Sequence, residues 1–199
     1  MSTADIIISP ARIFYAAVGT AMPADTVAYG AAWATPSGWT EIAMTKTPFS
    51  MNRDASVFNA MIEQSTLHVK RSVTEEKVAF ETTLAEFTGA NLLLGTEGTL
   101  TTTAPGAGQP GKETIEFGGQ VTLTERTWAV EGLFVSDLGN PHPIRFQIYR
   151  ATAVLNGQLQ FAKGDSTAIP LRIESLGDLS QAVGKQLGKI IKITAPATS

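Results

Sequence analysis

The fold of this chain is decided by residues 143–176, which read PIRFQIYRATAVLNGQLQFAKGDSTAIPLRIESL. Ile144, Phe146 and Ile148 lie at every second position, which is the pattern of a β-strand that buries one face. The opposite, solvent-facing side of this strand is predicted to carry Arg145, Gln147 and Tyr149. The stretch is therefore predicted to begin with an amphipathic strand.

Two features predict how this strand continues. The apolar positions move by one residue, to Ala151 and Ala153, so we expect a bulge or strand break near residues 149–151. Asn156-Gly157 then forms the preferred pair for a two-residue hairpin turn, because both residues tolerate a positive φ. This turn predicts a return strand that begins at residues 158–159.

A second reversal, at residues 164–165, leads into a strand with Ile169, Leu171 and Ile173 on one face, so the whole stretch predicts an antiparallel meander. Further strands are predicted over residues 6–9, 11–18, 39–44, 48–53, 57–62, 67–72, 77–84, 114–117, 121–134 and 190–193. Turns or breaks are predicted at residues 52–54 and 73–76, and loops at residues 19–38, 96–112 and 136–141.

One short helix is predicted between the strand at residues 77–84 and the loop at residues 96–112. Thr88 is a favourable N-cap, the helix runs through Leu94, and Gly95 is expected to end it in the left-handed conformation. The run of three leucines at residues 92–94 requires burial against a sheet. A further helical turn or two, capped by Asp178, is predicted before the last strand, with apolar positions at Leu179, Val183 and Leu187.

Several of these segments resemble the corresponding segments of one protein family. They are the meander strands at 145–151, 159–165 and 169–176, the opening strand and loop at 13–23, the turn at 39–42, and the strand and helix at 73–94. Together they are similar to the major tail tube proteins of bacteriophages with long non-contractile tails, the siphovirus type. The resemblance covers most of the chain, and none of its motifs is catalytic.

The resemblance implies an all-β fold with one short helix, a β-sandwich or half-barrel of the phage tail tube type, formed by residues 1–199 as a single domain. It also implies a non-enzymatic structural subunit without cofactors. Such subunits would join strand to strand into hexameric rings, and the rings would stack into a hollow tube in the virion tail. The implied partners are other copies of the chain, the tape measure, the tail terminator, and distal tail or baseplate proteins. DNA would pass through the lumen without specific binding.

The composition is consistent with a protein whose surface is largely buried against other copies of the same chain. Charged residues make up 17% of the chain, below the roughly 25% of typical soluble domains. The net charge is −3, so no basic field attracts nucleic acid. The chain has no cysteine, which favours folding in a reducing compartment such as the host cytoplasm during assembly.

The N-terminal region lacks a basic stretch, and residues 6–8 are too short an apolar run for a signal or a membrane-spanning segment, so neither export nor membrane association is predicted. An arm at about residues 1–5, the loop at about 96–112 and a tail at about 194–199 carry few apolar residues. We expect these three segments to be mobile in the free subunit and ordered in a stack.

Candidate catalytic residues do not form a convincing site in the sequence. Ser136, Asp137 and His142 are the residue types of a hydrolytic triad, but they fall in one short loop, where a solvated turn is the expected reading. The two histidines, His68 and His142, have no cysteine or regularly spaced carboxylate beside them, so no metal site is predicted.

Two further patterns also favour simple structural roles. Gly106, Gly108 and Gly111 match the spacing of a dinucleotide-binding loop, but no buried strand precedes them and no helix is predicted to follow. A flexible loop is therefore expected. A basic cluster, Lys185, Lys189 and Lys192, is interpreted as a solvated face or as the partner of an acidic neighbour.

The chain also offers tryptophans that suit more than one role. Trp33 and Trp39 could either plug one end of a sandwich or be buried at a subunit contact. The alternative function is a carbohydrate- or surface-binding β-sandwich, as in an adhesin or a virion decoration protein, which would need an exposed aromatic platform. An enzyme on a β scaffold is the least favoured reading.

Overall fold

The structure is a computed structural model that describes residues 10–33, 36–42, 44–61, 63, 67–135, 141–161, 163–164 and 166–194. Its elements in chain order are β1 (Arg12–Ala17), β2 (Thr40–Ile42), β3 (Ser50–Met61), β4 (His68–Leu84), α1 (Gly89–Thr96), β5 (Thr99–Thr103), β6 (Lys112–Glu116), β7 (Arg126–Val135), β8 (Pro141–Leu155), β9 (Ile169–Leu176) and β10 (Gly188–Lys192). The predicted all-β fold with one short helix is confirmed.

The main sheet is antiparallel throughout and has the order β2-β1-β7-β8-β9-β4-β3. Strand β8 organises it. One edge of β8 pairs with β7, whereas the other edge is divided between β10, which pairs with residues 144–148, and β9, which pairs with residues 150–155. The sheet therefore branches at β8, and it curves around a core without closing into a barrel.

The predicted register shift in the organising strand is confirmed, but it is a bulge and not a break. Arg126 pairs with Ala151 and Trp128 pairs with Ile148, so β8 carries one extra residue at 149–150. Beyond the bulge, Ala151 and Ala153 enter the core, as their alternation predicted.

The expectation that Arg145 faces solvent is wrong. Arg145 is completely buried, and Gln147 on the same face is 7% exposed. The long loop at residues 18–33 covers this face, so both sides of β8 are buried. Periodicity alone does not distinguish a face that meets water from a face covered by an irregular segment.

The predicted two-residue hairpin at Asn156-Gly157 is also wrong. Gly157 does adopt a positive φ, of 134°, but residues 158–161 form no strand. The antiparallel partner of β8 is instead β9, whose Ile169, Leu171 and Ile173 are almost fully buried. The antiparallel meander is therefore present, but the connection between its strands is longer than predicted. Strand β9 pairs with the edge of β8 because β9 is more apolar than residues 158–161.

Strands β3 and β4 are longer than predicted. The expected break at residues 52–54 lies inside β3, and the expected turn at 73–76 lies inside β4. Residues 73–76 include β-branched Val73 and Thr74 and no Gly, Pro, Asn or Asp, so the sequence gives little support for a reversal. The irregularity is absorbed as a bulge at Thr74, between the pairs Ser56–Glu75 and Val57–Val73.

The helix begins as predicted, since the Thr88 hydroxyl accepts a hydrogen bond from the Asn91 amide at 3.2 Å. It ends later than expected: the left-handed residue is Glu97, with φ 53°, and Gly95 lies inside the helix. A Cβ atom at Gly95 would lie 2.8 Å from Leu155 Cγ, so this glycine allows the helix to approach β8 closely.

The loop predicted at residues 96–112 contains structure. Thr99–Thr103 and Lys112–Glu116 pair as a two-stranded sheet, β5 with β6. The helical turns predicted after Asp178 do not form, and Leu179 and Val183 are exposed because no surface covers them. The last strand is confirmed as β10, and the strand predicted from Val121 begins only at Arg126.

Candidate functional site

A long two-stranded ribbon is exposed at the edge of the main sheet. Strand β4 pairs with β9 only over Ala79–Leu84, so Arg53–Met61 and His68–Val78 pair with each other and with no further described strand. We call these residues the distal ribbon. It extends about 30 Å from the domain at roughly 3.4 Å per residue. Because the pairing edge of β3 is also open, the distal ribbon offers unpaired backbone groups to a neighbour.

The distal ribbon also carries apolar side chains in water. Val57 and Val73 lie directly opposite each other, and Val73 is 55% exposed. Met61, on the same face of β3, is 62% exposed, and Phe58 on the opposite face is 60% exposed. Isolated two-stranded hairpins are marginally stable in water. Both faces of the distal ribbon are therefore suited to packing against another molecule.

A cleft opens where the sheet branches. It has a volume of about 510 Å³ and lies between β10 and the face formed by β3 and β4, with β8 at its base. The apolar residues that line it are Met51, Val78, Phe80, Phe146, Ile148, Leu187 and Ile190. Lys185 and Lys189 also line it, so two members of the basic cluster predicted from sequence lie at this cleft.

Buried charges hold the loop at residues 18–33 against the sheet. Arg145 donates to Glu131 Oε1 at 3.1 Å and to the backbone oxygens of Ala24 and Val27 at 3.1 and 2.6 Å. Arg12 donates to the second oxygen of Glu131 at 2.9 Å. Glu131 is fully buried, so this pairing offsets the desolvation of its charge.

Arg12 extends the network toward the surface. It forms a two-point contact with Glu41, with nitrogen–oxygen distances of 2.7 and 2.6 Å, and donates to the Ala31 backbone oxygen at 3.1 Å. The hydrogen bond to Glu41 is the main reason that the pKa of Arg12 is raised above its ordinary value. The network therefore ties four strands, β1, β2, β7 and β8, and one loop together.

Of the two tryptophans considered from sequence, Trp33 plugs the fold. It is 5% exposed and stacks on Phe14, with ring centroids 3.8 Å apart. Trp39 meets Trp33 edge-on at 5.2 Å, and its indole nitrogen donates to the Ala21 backbone oxygen. The two rings together fasten the loop at residues 18–33 over β1.

Of the three triad residue types, only His142 lies within the described residues. Ser136 and Asp137 lie outside the described residues, whereas His142 lies within β8 and is 8% exposed, which corrects its expected place in a loop. Among the residues that the structure describes, no three His, Cys, Asp or Glu side chains come together in a way that could hold a metal ion.

The glycine pattern belongs to a hairpin. Gly106 and Gln109 exchange backbone hydrogen bonds in the connection between β5 and β6, and β6 follows Gly111 where a dinucleotide loop would lead into a helix. In the described part of the chain, no helix is long and apolar enough to cross a membrane.

Sequence reasoning missed the distal ribbon and the cleft. The signal for the distal ribbon was the absence of turn-forming residues at 73–76, which permits one uninterrupted strand. The cleft depends on β9 and β10 sharing one edge of β8, and this arrangement leaves no local pattern in the sequence.

An all-β domain with exposed, strand-forming surfaces is a structural interaction module. The chain matches the phage tail tube protein family over residues 2–192 and therefore belongs to that family. It is a structural protein of the virion tail, and it assembles with its own copies into a tube with other tail components. Comparison with curated proteins gave no match.

Proposed function

We propose that this protein forms the hollow tail tube of a siphovirus-type phage, as hexameric rings that stack along the tail axis. The observation that carries this proposal is the distal ribbon, which lies outside the domain with apolar side chains on both faces. A neighbouring subunit that packs on it would remove this apolar surface from water and pair the open edge of β3. A ring closes every such edge, because the last subunit contacts the first.

The charge of the subunit suits a passage for DNA. The net charge of −3 provides no overall attraction for phosphates, so DNA would pass through the lumen without being held. We further propose that the tube ends contact the tape measure, the tail terminator and distal tail or baseplate proteins during assembly in the host cytoplasm. Of the three segments expected to become ordered between stacked rings, the proposal is kept for the connection between the paired strands β5 and β6, within residues 96–112. The arm at residues 1–5 and residues 195–199 of the tail lie outside the described residues.

The carbohydrate-binding alternative would need an exposed aromatic platform. An exposed aromatic pair does exist, since Phe87 and Phe161 are 44% and 78% exposed with ring centroids 5.8 Å apart. The family match, together with the length of the distal ribbon, favours the tube.

Electron microscopy of purified protein at rising concentration tests the proposal. Wild-type protein is expected to form rings with six-fold symmetry and then tubes. The variant F58S/V73S replaces one exposed apolar side chain on each face of the distal ribbon, so it should raise the concentration needed for assembly while leaving the folded domain intact. The matched control is Met44→Ser, which changes a residue 73% exposed outside the distal ribbon and should assemble like wild type.

A strict monomer at every concentration, with tail-initiating proteins added, would contradict the proposal. Equal assembly of F58S/V73S and wild type would show that the distal ribbon is not the contact. Far-UV circular dichroism and the unfolding midpoint of each variant establish that a loss of assembly is not a loss of folding.

A further inference from the structure

The segment Phe117–Leu123 shows a conflict between sequence and local structure. Val, Thr and Leu at residues 121–123 favour a strand, and the alternation from residue 121 predicted one. In the structure this segment is irregular, and among the described residues no backbone hydrogen bond joins it to the rest of the chain. A strand-forming segment without a strand partner among the described residues is suited to pair with another molecule.

Exposure of this segment supports the same conclusion. Val121 is 99% exposed, Phe117 is 72% exposed and Leu123 is 40% exposed, in a segment where water-facing residues would ordinarily be polar. Gly118 and Gly119 both have positive φ, of 112° and 73°, so the backbone leaves β6 in a direction that side-chain-bearing residues rarely adopt. The segment is anchored at its far end, where the Thr124 amide donates to Glu97.

The acceptor for such a strand is the cleft beside β10. Strand β10 pairs with β8 along one edge, and no described strand pairs with its other edge. The cleft provides an apolar lining from both branches of the sheet and a volume of about 510 Å³. An added strand would gain backbone hydrogen bonds from β10 and apolar pockets for alternate side chains, which is how sheets capture extended segments.

Charge favours a second copy of this chain as the donor. Lys185 and Lys189 line the cleft, and Glu116 is exposed immediately before the segment. A segment that enters the cleft would therefore bring a carboxylate to a basic rim. We propose that Phe117–Leu123 of one subunit adds as a strand to β10 in the cleft of a second subunit. This inference rests on the proposed self-assembly and specifies one of its contacts, which adjoins the domain end of the distal ribbon at Arg53, Glu76 and Val78.

Cysteine cross-linking tests the contact directly, because the chain contains no native cysteine. Val121→Cys and Ile190→Cys are prepared as two single-cysteine proteins, mixed, assembled and treated with a mild oxidant. The mixture is expected to give at least tenfold more disulfide-linked dimer than either protein alone. The matched control mixes Phe161→Cys, at a position 78% exposed, with Ile190→Cys and should stay at background.

A second measurement uses the concentration at which assembly begins. Val121→Asp should raise this concentration at least tenfold, equivalent to about 1.4 kcal/mol, with an unchanged unfolding midpoint because the side chain is exposed in the free subunit. Phe161→Ser is the control and should assemble like wild type.

Several results would overturn the proposal. They are a mixture that cross-links no better than its control, a Val121→Asp protein that forms tubes as readily as wild type, and a double variant V121C/I190C that cross-links only within one chain. In each case tubes still form, so the proposed function stands. Failure of the wild-type protein to assemble would instead contradict the proposed function, and cross-linking at high protein concentration would then still test the strand addition.

Discussion

Replacement of Arg145 by Met should destabilise the subunit more than any replacement of an exposed charge. The side chain is fully buried and donates to Glu131 and to two backbone oxygens of the covering loop. Removal of one member of a buried ion pair costs about 3–5 kcal/mol. Since Arg12 still contacts Glu131 at 2.9 Å, we expect a loss near the lower limit, about 3 kcal/mol.

Urea unfolding measures this loss. The protein concentration is kept below that at which assembly begins, because assembly would itself stabilise the folded state. The melting temperature should fall by about 6–12 °C for a chain of this size. The double variant E131M/R145M removes both charges and should recover part of the loss, since no buried carboxylate is then left without its fully buried partner.

The matched control is Arg53→Met, which removes the exposed ion pair between Arg53 and Glu76 and should leave the unfolding midpoint unchanged. A loss below about 1 kcal/mol for Arg145→Met would refute the conclusion that buried charge fastens the loop at residues 18–33. Equal losses for Arg145→Met and Arg53→Met would refute it as well.

Two further predictions concern the helix and the C-terminal turn. Gly95→Ala would ordinarily stabilise a helix by about 1 kcal/mol, but here it should destabilise the fold by about 1–3 kcal/mol in urea unfolding, because the added Cβ meets Leu155; a stabilised variant would contradict the close approach. The Ser180 hydroxyl is the main cause of the lowered pKa of Asp178, so Ser180→Ala should raise that pKa in an NMR titration. Because the pKa of Asp178 is lowered in the folded state, its carboxylate stabilises the fold at pH values above the ordinary Asp pKa. This stabilisation is lost as the pH falls through the folded pKa, so the Ser180→Ala variant should be less sensitive to acid in this turn.

The sequence by itself determined the secondary structure wherever one face of a strand is buried. In β9, Ile169, Leu171 and Ile173 alternate with polar residues and are buried as predicted. The bulge in β8 was also predictable from the sequence, because one extra residue moves the apolar side chains from even-numbered to odd-numbered positions. The Thr88 cap was predictable for a similarly local reason, since an N-cap contacts a residue only three positions away.

Only the tertiary structure decided which strands pair and which polar residues are buried. Asn156-Gly157 has the local preference for a tight turn, yet β8 pairs with the distant β9, because burial of three large side chains outweighs a turn preference. Arg145 and Glu131 lie within strands at positions that alternation assigns to solvent, and they are buried because a loop from another part of the chain covers them. The distal ribbon and the cleft follow from the same cause: an edge of a sheet is open or paired only in relation to the strands around it, and local sequence carries no record of those neighbours.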